Sequence, residues 1–419
     1  MEKENVAQTV ELRQTEKAPE RERRYETTLV VLFFFTWGTV FLERMSVVYL
    51  APFLVTDLHL KPTQVGLLAS ALALSWAASG LIFGAVSDRV GRRPVLVPAV
   101  FLFAVFSWLS GMVRSFSQLF LVRTVMGSAG GPAWSTLTAT IEATCEPKRR
   151  GRDIGIVVSA AALVGLALAP VLTTQIAARF GWRAAFFVAG IPGILFGALI
   201  WKVMREVKAE ETGGHAHAKP SLADYFSLLK YRNMWLCCVG AAGFMTWLFV
   251  MHTFAPLYIT QVSGRSATLA GLVVGAGGLG AFLWGWIFPW VSDRAGRKPT
   301  LLFVALLSAL APLVYQTPFL MAHPWWMAAA GFLTNGGQGL GALVLVLVPT
   351  ESVPGRLAAT AIGLATLVGE VFGGACAPTL AGAMAERYGL GAALWMAAAG
   401  AILVFVASLF MRETAPAKK

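Results

Sequence analysis

Charged residues are scarce in this 419-residue sequence: Asp, Glu, Lys and Arg make up 13% of it, and hydrophobic residues make up 57%. A soluble globular protein carries about a quarter charged residues, so this composition excludes an ordinary soluble domain. Apolar runs recur along the whole chain, and runs of their length are typical of membrane-spanning helices. The sequence therefore predicts a polytopic membrane protein.

The motifs of catalysis are also missing. The chain has four cysteines, and no two of them stand in a disulfide or metal-ligand spacing. It contains no nucleophile–base constellation, no cluster of the HExxH type and no phosphate-binding loop. We therefore predict no enzyme activity, no bound metal and no cofactor.

Twelve apolar segments, separated by charge clusters and Pro/Gly breaks, are predicted to be transmembrane helices. They cover residues 28–56, 64–86, 95–113, 117–142, 153–177, 184–204, 234–260, 267–290, 299–318, 325–349, 357–385 and 390–411. A cytoplasmic linker at 205–233 divides the chain into six-helix bundles at 28–204 and 234–411. Polar tails lie at 1–27 and 412–419, and the first lacks the features of a signal peptide. The predicted fold is all-α, with two pseudo-symmetric six-helix bundles.

Basic residues are unevenly distributed over the predicted loops. Most of the 34 Lys and Arg residues fall in the tails, the central linker and the loops on the same side. Such an excess marks the cytoplasmic side, so both termini are predicted to be cytoplasmic, in the inner (plasma) membrane. Anionic lipid headgroups account for the net charge of +12, so we expect no nucleic-acid partner.

The two halves of the chain share an internal repeat. The loop VSDRVGRRP, which contains Asp88, returns as VSDRAGRKP, which contains Asp293, with seven of nine positions identical. Glu146 and Glu351 stand at the same offset of 205 residues. The repeat predicts two parallel halves related by an axis along the membrane normal.

These motifs resemble those of the major facilitator superfamily. GLIFGAVSDRVGRRP is similar to the family signature between the second and third helices, and RTVMG at 123–127 is similar to a fourth-helix motif. ERMSVVYLAPFLVTDLHLKPTQVGLLASA resembles the anion:cation symporter branch, whose first helix carries an arginine. The resemblance implies transport of organic anions, often with protons. A glutamate often follows three residues after the motif glycine in that branch, but Gly130 stands there in this chain, so one expected proton carrier is missing.

Charged residues in and near the repeated loops are predicted to gate transport. They lie where contacts between the halves can form in one conformation and break in the other. The alternative for the basic ones is a role in topology alone. The predicted gating residues are Asp88, Arg89, Arg92, Glu146, Asp293, Arg294, Arg297 and Glu351.

Two adjacent charges, Glu43 and Arg44, interrupt the first predicted span. They lie about fifteen residues, or roughly 22 Å, inside a helix that crosses a core about 30 Å thick. Arg44 is predicted to bind a substrate carboxylate with its fork of donors, and Glu43 to exchange a proton. A mutual or neighbouring salt bridge without a transport role is the alternative. Arg123 is predicted to be a second cation near the proton site or the anion, or otherwise a headgroup anchor.

Fewer polar residues interrupt the spans of the second half. His252 is predicted to face the substrate, or to be hydrogen-bonded within the structure. Asn335 and Gln338 share one helix face, where they bind substrate or join helices. Glu370 is predicted to couple protons or to be paired, because a lone carboxylate inside a membrane is costly. The aromatic residues predicted to line the site are Tyr49, Trp76, Trp134, Phe254 and Tyr258.

The sequence therefore predicts a secondary transporter that imports a small carboxylate by proton symport with alternating access, with sodium left open as the coupling ion. We expect Arg44→Ala to abolish uptake, and Glu43→Gln to keep exchange but lose gradient-driven accumulation. A proton-coupled exporter of drugs or amphipathic metabolites is the alternative. A ligand sensor without transport is disfavoured, because no signalling domain is present. A single unit surrounded by lipid suffices, so we expect a functional monomer.

Overall fold

A computed structural model describes the backbone of residues 2–146, 149–206, 227–228 and 230–415. Within these ranges, side chains are described from residue 21 onward, apart from residues 81, 84, 85, 88 and 356. Most of the predicted linker 205–233, the side chain of Asp88 and residues 416–419 therefore lie outside the described residues.

Six long helices make up the N-terminal half of the described chain. They are α1 (Glu2–Tyr49), α2 (Pro62–Val90), α3 (Arg93–Met112), α4 (Phe116–Thr144), α5 (Arg150–Phe180) and α6 (Trp182–Val203). A short helix, Ala51–Leu58, follows α1 after Leu50, so the first predicted span is split. Pro52 in its first turn explains the split, because proline has no N–H to continue the hydrogen bonds of α1.

Six further long helices make up the C-terminal half. They are α7 (Arg232–Gln261), α8 (Ala267–Ala295), α9 (Arg297–Val314), α10 (Pro324–Ser352), α11 (Ala358–Tyr388) and α12 (Leu390–Phe410). A short helix, Pro318–Ala322, precedes α10, and a single 3-10 turn, Gly355–Leu357, precedes α11.

Three of these helices are not uniformly α-helical. A π-helical turn occupies Ala161–Leu168 in α5, Ala342–Leu347 in α10 and Gly369–Cys376 in α11. A π-turn inserts an extra residue and rotates the side chains that follow it, and such turns are frequent at functional sites. The helical conformation of α10 is also interrupted between Thr334 and Gly337.

Ten of the twelve long helices in the described chain are long and apolar enough to cross a membrane. Of the other two, α4 is rich in small and hydroxyl residues, which lower its apolarity, and α2 contains residues 81, 84, 85 and 88, whose side chains are not described. No strand occurs among the residues that the structure describes. The predicted all-α membrane fold is therefore confirmed.

The repeated loop ends two helices in the same way. Gly91 follows α2 with a φ of +102°, and Gly296 follows α8 with a φ of +107°. Glycine adopts positive φ at little steric cost, whereas other residues are strained there. The repeat in the sequence is thus a repeat of backbone conformation, and it starts α3 and α9 within two residues of the turn.

The two halves touch mainly through two helix pairs, α2 with α11 and α5 with α8. A Cβ placed on Gly66 would overlap the carbonyl oxygen of Pro378, and one placed on Gly278 would overlap that of Leu166. Glycine at these positions lets the backbones of the two halves approach closely, as in other packed membrane helices.

The ends of the molecule differ in these contacts. We call the end with the turns at Gly91 and Gly296 the tail end, and the end with the turn at Gly389 the distal end. The glycine contacts run from the middle of the molecule towards the distal end, where Thr63 also donates a 2.6 Å hydrogen bond to Glu386 of the other half. The two halves are therefore joined at the distal end.

Candidate functional site

A guanidinium from one half and a carboxylate from the other meet inside the molecule. Nη2 of Arg44 lies 3.0 Å from Oε2 of Glu370, and its Nη1 lies 3.4 Å from Oε1. Arg44 is 5% exposed and Glu370 is 7% exposed. The pair therefore joins α1 to α11 across the two halves, shielded from solvent.

Aromatic rings lie against the guanidinium of this pair. Cζ of Arg44 lies 4.6 Å from the ring centroid of Trp76, 4.6 Å from that of Phe249 and 5.6 Å from that of Phe41. Trp76 belongs to α2 and Phe249 to α7, so each half supplies a ring. Ring faces attract cations, so they stabilise Arg44 in addition to the carboxylate. We call these four residues and Glu370 the central site.

Glu370 owes its position to the local structure of α11. It lies in the π-helical turn, which also contains Gly373 and Gly374. A Cβ on Gly374 would lie 2.7 Å from Oε2 of Glu370, and a Cβ on Gly373 would lie 2.5 Å from Cβ of Met245 on α7. The glycines thus leave room for the carboxylate and for the close approach of α7.

Glu43 points away from the central site. It is 1% exposed, and a Cβ on Gly193 of α6 would overlap its Oε1. That Oε1 has no hydrogen-bond partner among the described residues. The adjacent charges Glu43 and Arg44 therefore face different places, the first into the N-terminal half and the second towards the C-terminal half.

Arg123 is enclosed in the N-terminal half near Glu43. It is fully buried, donates a 3.1 Å hydrogen bond to the backbone carbonyl of Glu43, and lies 5.2 Å from the ring centroid of Phe186. Its Nε and Nη2 have no hydrogen-bond partner in the described chain. Because protein encloses it, Arg123 does not act as a headgroup anchor in this conformation, and it does not contact the central site either.

The space beside Gly130, where the resemblance leads one to expect a glutamate, is occupied by other side chains. A Cβ on Gly130 would overlap the six-membered ring of Trp76 and would lie 2.7 Å from Cε2 of Phe103. The tryptophan that packs on Arg44 therefore fills the space that a side chain from α4 would use. The carboxylate next to Arg44 comes from α11 of the other half instead.

Tyr49 and His252 lie close together between the two halves. Their ring centroids are 6.5 Å apart. Tyr49 donates a 3.2 Å hydrogen bond to the carbonyl of Gly165, and Nδ1 of His252 lies 2.8 Å from the carbonyl of Leu248. Nε2 of His252 is buried and has no hydrogen-bond partner among the described residues.

The other predicted aromatic residues lie at different distances from the central site. Trp134 packs against Trp37 in a tilted arrangement with centroids 4.5 Å apart, and the ring centroid of Trp37 lies 6.0 Å from that of Trp76, so an aromatic row leads from α4 to the central site. Phe254 and Tyr258 are buried on α7. No described ring contact joins either of them to Arg44.

Asn335 and Gln338 face α8 within the C-terminal half. A Cβ on Gly277 would lie 3.1 Å from Nδ2 of Asn335, and a Cβ on Gly285 would lie 3.0 Å from Cβ of Gln338. Asn335 also sits at the break in α10, where its side-chain atoms have no described partner. Neither residue is brought to the central site.

The predicted gating residues of the C-terminal half form one cluster at the tail end. Arg297 lies 2.7 Å from Glu351 and 2.6 Å from Asp293. Arg294 instead packs over the ring of Trp290, 4.2 Å from its centroid. The described ion pairs of this cluster thus lie within one half.

The predicted gating residues of the N-terminal half also make contacts within that half. Glu146 lies 3.1 Å from Arg149, which also pairs with Glu26 at 3.0 Å. The backbone N–H of Arg92 donates to Glu206, and Arg89 is exposed. The side chain of Asp88 lies outside the described residues.

Sequence reasoning missed two members of the central site, Phe41 and Phe249, and did not assign Trp76 to Arg44. Phe41 lies three residues before Arg44 and Phe249 three before His252, so helical spacing places each near a polar residue already noted. Nothing in the sequence marks the pairing of α1 with α11, since that contact depends on how the halves pack.

The fold and the site together define a multi-pass membrane protein built around a buried charged site. The Major Facilitator Superfamily model matches residues 31–371 and, in a second match, residues 290–419. The chain therefore belongs to the Major Facilitator Superfamily, and it is a transporter rather than an enzyme, as predicted.

Relatives and a solved structure agree with this family. The chain is 28% identical over 346 residues to a probable 4-methylmuconolactone transporter of Cupriavidus pinatubonensis, covering 80% of this chain and 79% of that protein. It is 29% identical over 298 residues to a probable L-galactonate transporter of Escherichia coli, covering 67% and 65%. The fold matches a bacterial homologue of the human lysosomal transporter Spinster with a TM-score of 0.73 and 19% identity, covering 92% and 96%.

Proposed function

We propose that this protein imports a small organic anion, a carboxylate, by symport with protons. In this proposal twelve helices cross the inner membrane as two six-helix bundles, both termini are cytoplasmic, and the bundles alternate access to the central site. The relatives named above support an organic acid as the substrate, and their names cover both a lactone of an unsaturated acid and a sugar acid.

One observation carries the proposal: the buried pair of Arg44 and Glu370 across the two halves. A guanidinium binds a carboxylate through two parallel hydrogen bonds, whichever molecule supplies the carboxylate. Glu370 therefore occupies the place that a substrate carboxylate would take on Arg44. A substrate that binds Arg44 must displace Glu370, so substrate binding and the contact between the halves are linked.

Because the substrate and Glu370 compete for Arg44, substrate binding is also coupled to protons. A carboxylate displaced from its only cation inside the protein is stabilised by taking up a proton. Each substrate carboxylate bound to Arg44 is thus accompanied by one proton on Glu370. When the substrate leaves, Arg44 is free to pair with Glu370 again, and the proton is released to the same side. Glu43, which has no described partner at Oε1, is the second candidate proton carrier.

The packing of the halves supports alternating access. Glycine contacts join the halves from the middle of the molecule to the distal end, while the described ion pairs of the tail end stay within each half. With cytoplasmic termini, this arrangement is closed to the outside, and release of substrate would be towards the cytoplasm. Two exposed gating residues of the tail end lie outside these ion pairs, Arg89 and Arg294, and they would contact the other half in the opposite conformation.

A flux experiment tests the proposal. Purified protein is reconstituted into liposomes that contain a pH-sensitive dye, and a panel of organic acids is added outside, including galactonate and muconate. We expect at least one acid to drive proton entry that Arg44→Ala abolishes. Glu370→Gln should still exchange labelled acid for unlabelled acid, but should move no proton with it.

Two controls separate protein-mediated flux from leakage and from loss of folding. Liposomes without protein correct for acids that cross the bilayer in neutral form. Ser352→Ala, at the tail end, changes a residue that the proposal does not use and should transport normally. The proposal is wrong if no acid in the panel moves with protons through the wild-type protein, and the role of Glu370 is wrong if Glu370→Gln still couples the two fluxes. Glu43→Gln, tested in parallel, shows whether a second proton carrier is needed.

A further inference from the structure

The side chains around the central site indicate the polarity and shape of the substrate, in addition to its negative charge. This inference rests on the proposed function, because it takes the Glu370 carboxylate as the stand-in for a substrate carboxylate on Arg44. The atoms that surround Glu370 then approximate the surroundings of the substrate carbons next to that carboxylate.

Those surroundings are apolar. A Cβ on Gly374, beside the Glu370 carboxylate, would lie 3.3 Å from Cε2 of Phe249 and 3.4 Å from Cβ of Ala73. The rings of Trp76 and Phe249 lie 4.6 Å from Cζ of Arg44. The space next to the carboxylate is therefore lined by ring faces and methyl groups.

Three polar side chains, those of Asn335, Gln338 and Ser75, make their described contacts away from Glu370. Asn335 and Gln338 face α8 inside the C-terminal half. The hydroxyl of Ser75, one residue before Trp76, donates to the carbonyl of Ala71 at 2.9 Å. A hydroxyl group next to the bound carboxylate would lose its hydrogen bonds to water and gain none from these three side chains, and that loss weakens binding.

The geometry of the ion pair adds a preference for shape. A carboxylate bound bidentately lies near the plane of the guanidinium. Atoms conjugated with the carboxylate stay in that plane, so a flat acid presents its faces to the rings that already pack on Arg44. A saturated chain is puckered at the next carbon and makes poorer contact with a ring face.

We infer that the substrate is a flat, unsaturated carboxylic acid, such as a conjugated dienoic or aromatic acid, rather than a polyhydroxylated sugar acid. The juxtaposition of Arg44 with Trp76 and Phe249 selects for the flat group. The orphaned Nε2 of His252, near Tyr49, is placed to hydrogen-bond a polar group at the far end of such a molecule.

A matched series of six-carbon acids tests this inference. Sorbate is flat and conjugated, hexanoate is saturated, and gluconate is hydroxylated, and all three carry one carboxylate on six carbons. Binding is measured by the thermal stabilisation of purified protein in detergent, so that passage of acid through a bilayer has no influence. Muconate, adipate and galactarate repeat the series with two carboxylates.

We expect sorbate or muconate to half-saturate the protein at a concentration about 10-fold below that of its saturated counterpart, a ratio equivalent to about 1.4 kcal/mol. The hydroxylated acid should bind about 100-fold more weakly than the flat one. Phe249→Leu keeps the site apolar but removes the ring, and should reduce the flat-to-saturated ratio to about 2. Phe244→Leu, a change at a buried ring on α7 that packs on Trp247 instead, should leave the ratio unchanged.

The outcomes separate this inference from the proposed function. If gluconate or galactarate binds as tightly as the flat acid, the inference is wrong while an anion site at Arg44 stands. If Phe249→Leu leaves the ratio at its wild-type value, the ring does not select the substrate and the inference is equally wrong. If no acid of either series stabilises the wild-type protein more than it stabilises Arg44→Ala, the proposed function itself fails.

Discussion

A buried arginine pairs with a glutamate in two regions of the described molecule, and the two regions differ in what the pairs join. In the central site, Arg44 and Glu370 come from opposite halves and are flanked by aromatic rings. At the tail end, Arg297 binds Glu351 of the same half, and hydroxyl groups satisfy both partners: Arg297 donates to Ser292, and Thr414 donates to Glu351.

In our proposal, the ion pair across the halves breaks and re-forms during transport, whereas the ion pair within one half stays intact. A pair within one half stays together whatever the halves do, so it stabilises that half. A pair across the halves has to break if the halves separate, and its arginine is then available to another carboxylate. The same two residue types therefore have a structural role at the tail end and, in our proposal, a transport role in the centre.

The largest effect that this comparison predicts is the loss of transport at the central site. Arg44→Ala should reduce uptake of the transported acid at least about 100-fold, because a bidentate charge-assisted interaction with substrate is removed. Arg297→Ala should keep more than about a third of wild-type uptake per folded molecule. Initial rates in proteoliposomes, normalised to protein that elutes as a single species, measure both. Comparable losses in the two variants would remove the distinction between the regions.

A second prediction concerns the contacts that close the distal end. Gly66→Ala and Gly278→Ala place a methyl group on a carbonyl of the other half, so they should prevent close approach of the halves and slow transport about 10-fold. Gly363→Ala is the matched control, because a Cβ there meets nothing within 4 Å. Uptake rates together with thiol labelling of a cysteine introduced near Ser70 report the change. Normal transport by both variants would show that transport does not require these glycine contacts between the halves.

Substitutions in the tail-end cluster should lower the stability of the protein rather than its transport rate. Arg297 is 4% exposed and pairs with both Glu351 and Asp293, so Arg297→Ala removes the buried cation that these two carboxylates share. Loss of one member of a buried pair costs about 3 kcal/mol. We expect a lower melting temperature for this variant in detergent and a smaller decrease for Arg294→Ala, whose guanidinium contacts a ring instead. Equal decreases would argue that the cluster contributes no more than surface charge.

The smallest expected effect is at the end of the described chain. Glu413 accepts hydrogen bonds from the backbone N–H groups of Arg297 and Lys298 at 2.7 and 3.2 Å, and so caps α9. Burial raises the pKa of Glu413, but hydrogen bonds from backbone N–H groups outweigh it, and the pKa lies below its ordinary value. Glu413→Gln should cost about 1 kcal/mol at pH 7, a capping effect reduced by solvent screening.

The direction of the pKa shift of Glu413 determines how its contribution to stability depends on pH. Because the pKa is lower in the folded state, the stabilisation is fully present above the ordinary glutamate pKa of about 4.3 and is lost as pH falls through the folded value. The difference in melting temperature between wild type and Glu413→Gln should therefore shrink as the buffer is made more acidic. A difference that grows on acidification would contradict the proposed cap.

Much of the architecture could be predicted because it depends on local properties of the chain. Apolar runs of sufficient length predict helices in a membrane, and each predicted span overlaps one long helix of the structure. The repeated VSDR loops predict equivalent turns, and Gly91 and Gly296 have nearly equal positive φ values. The apolar pattern predicts a first span that continues to residue 56, but Pro52 splits it near Leu50, which the proline could have indicated.

The central site could be predicted only in part. Charges inside apolar segments are conspicuous, so Glu43, Arg44 and Glu370 are recognisable as candidates from the sequence. Their directions are not, since Glu43 and Arg44 are neighbours and only the packing of α6 and α11 shows which one faces the other half. Asn335 and Gln338 face α8 for a similar reason, because the glycines of that helix draw α10 towards it.

The sequence by itself determined that this protein is a helical membrane protein with two related halves and with ionisable residues inside the first and eleventh helices, because composition and periodicity act locally along the chain. The resemblance of its motifs to those of a transporter family indicated its class. The tertiary structure alone decided that Arg44 pairs with Glu370 and that Trp76 fills the space beside Gly130. These contacts join residues far apart in the chain, and no local preference specifies how one half lies against the other.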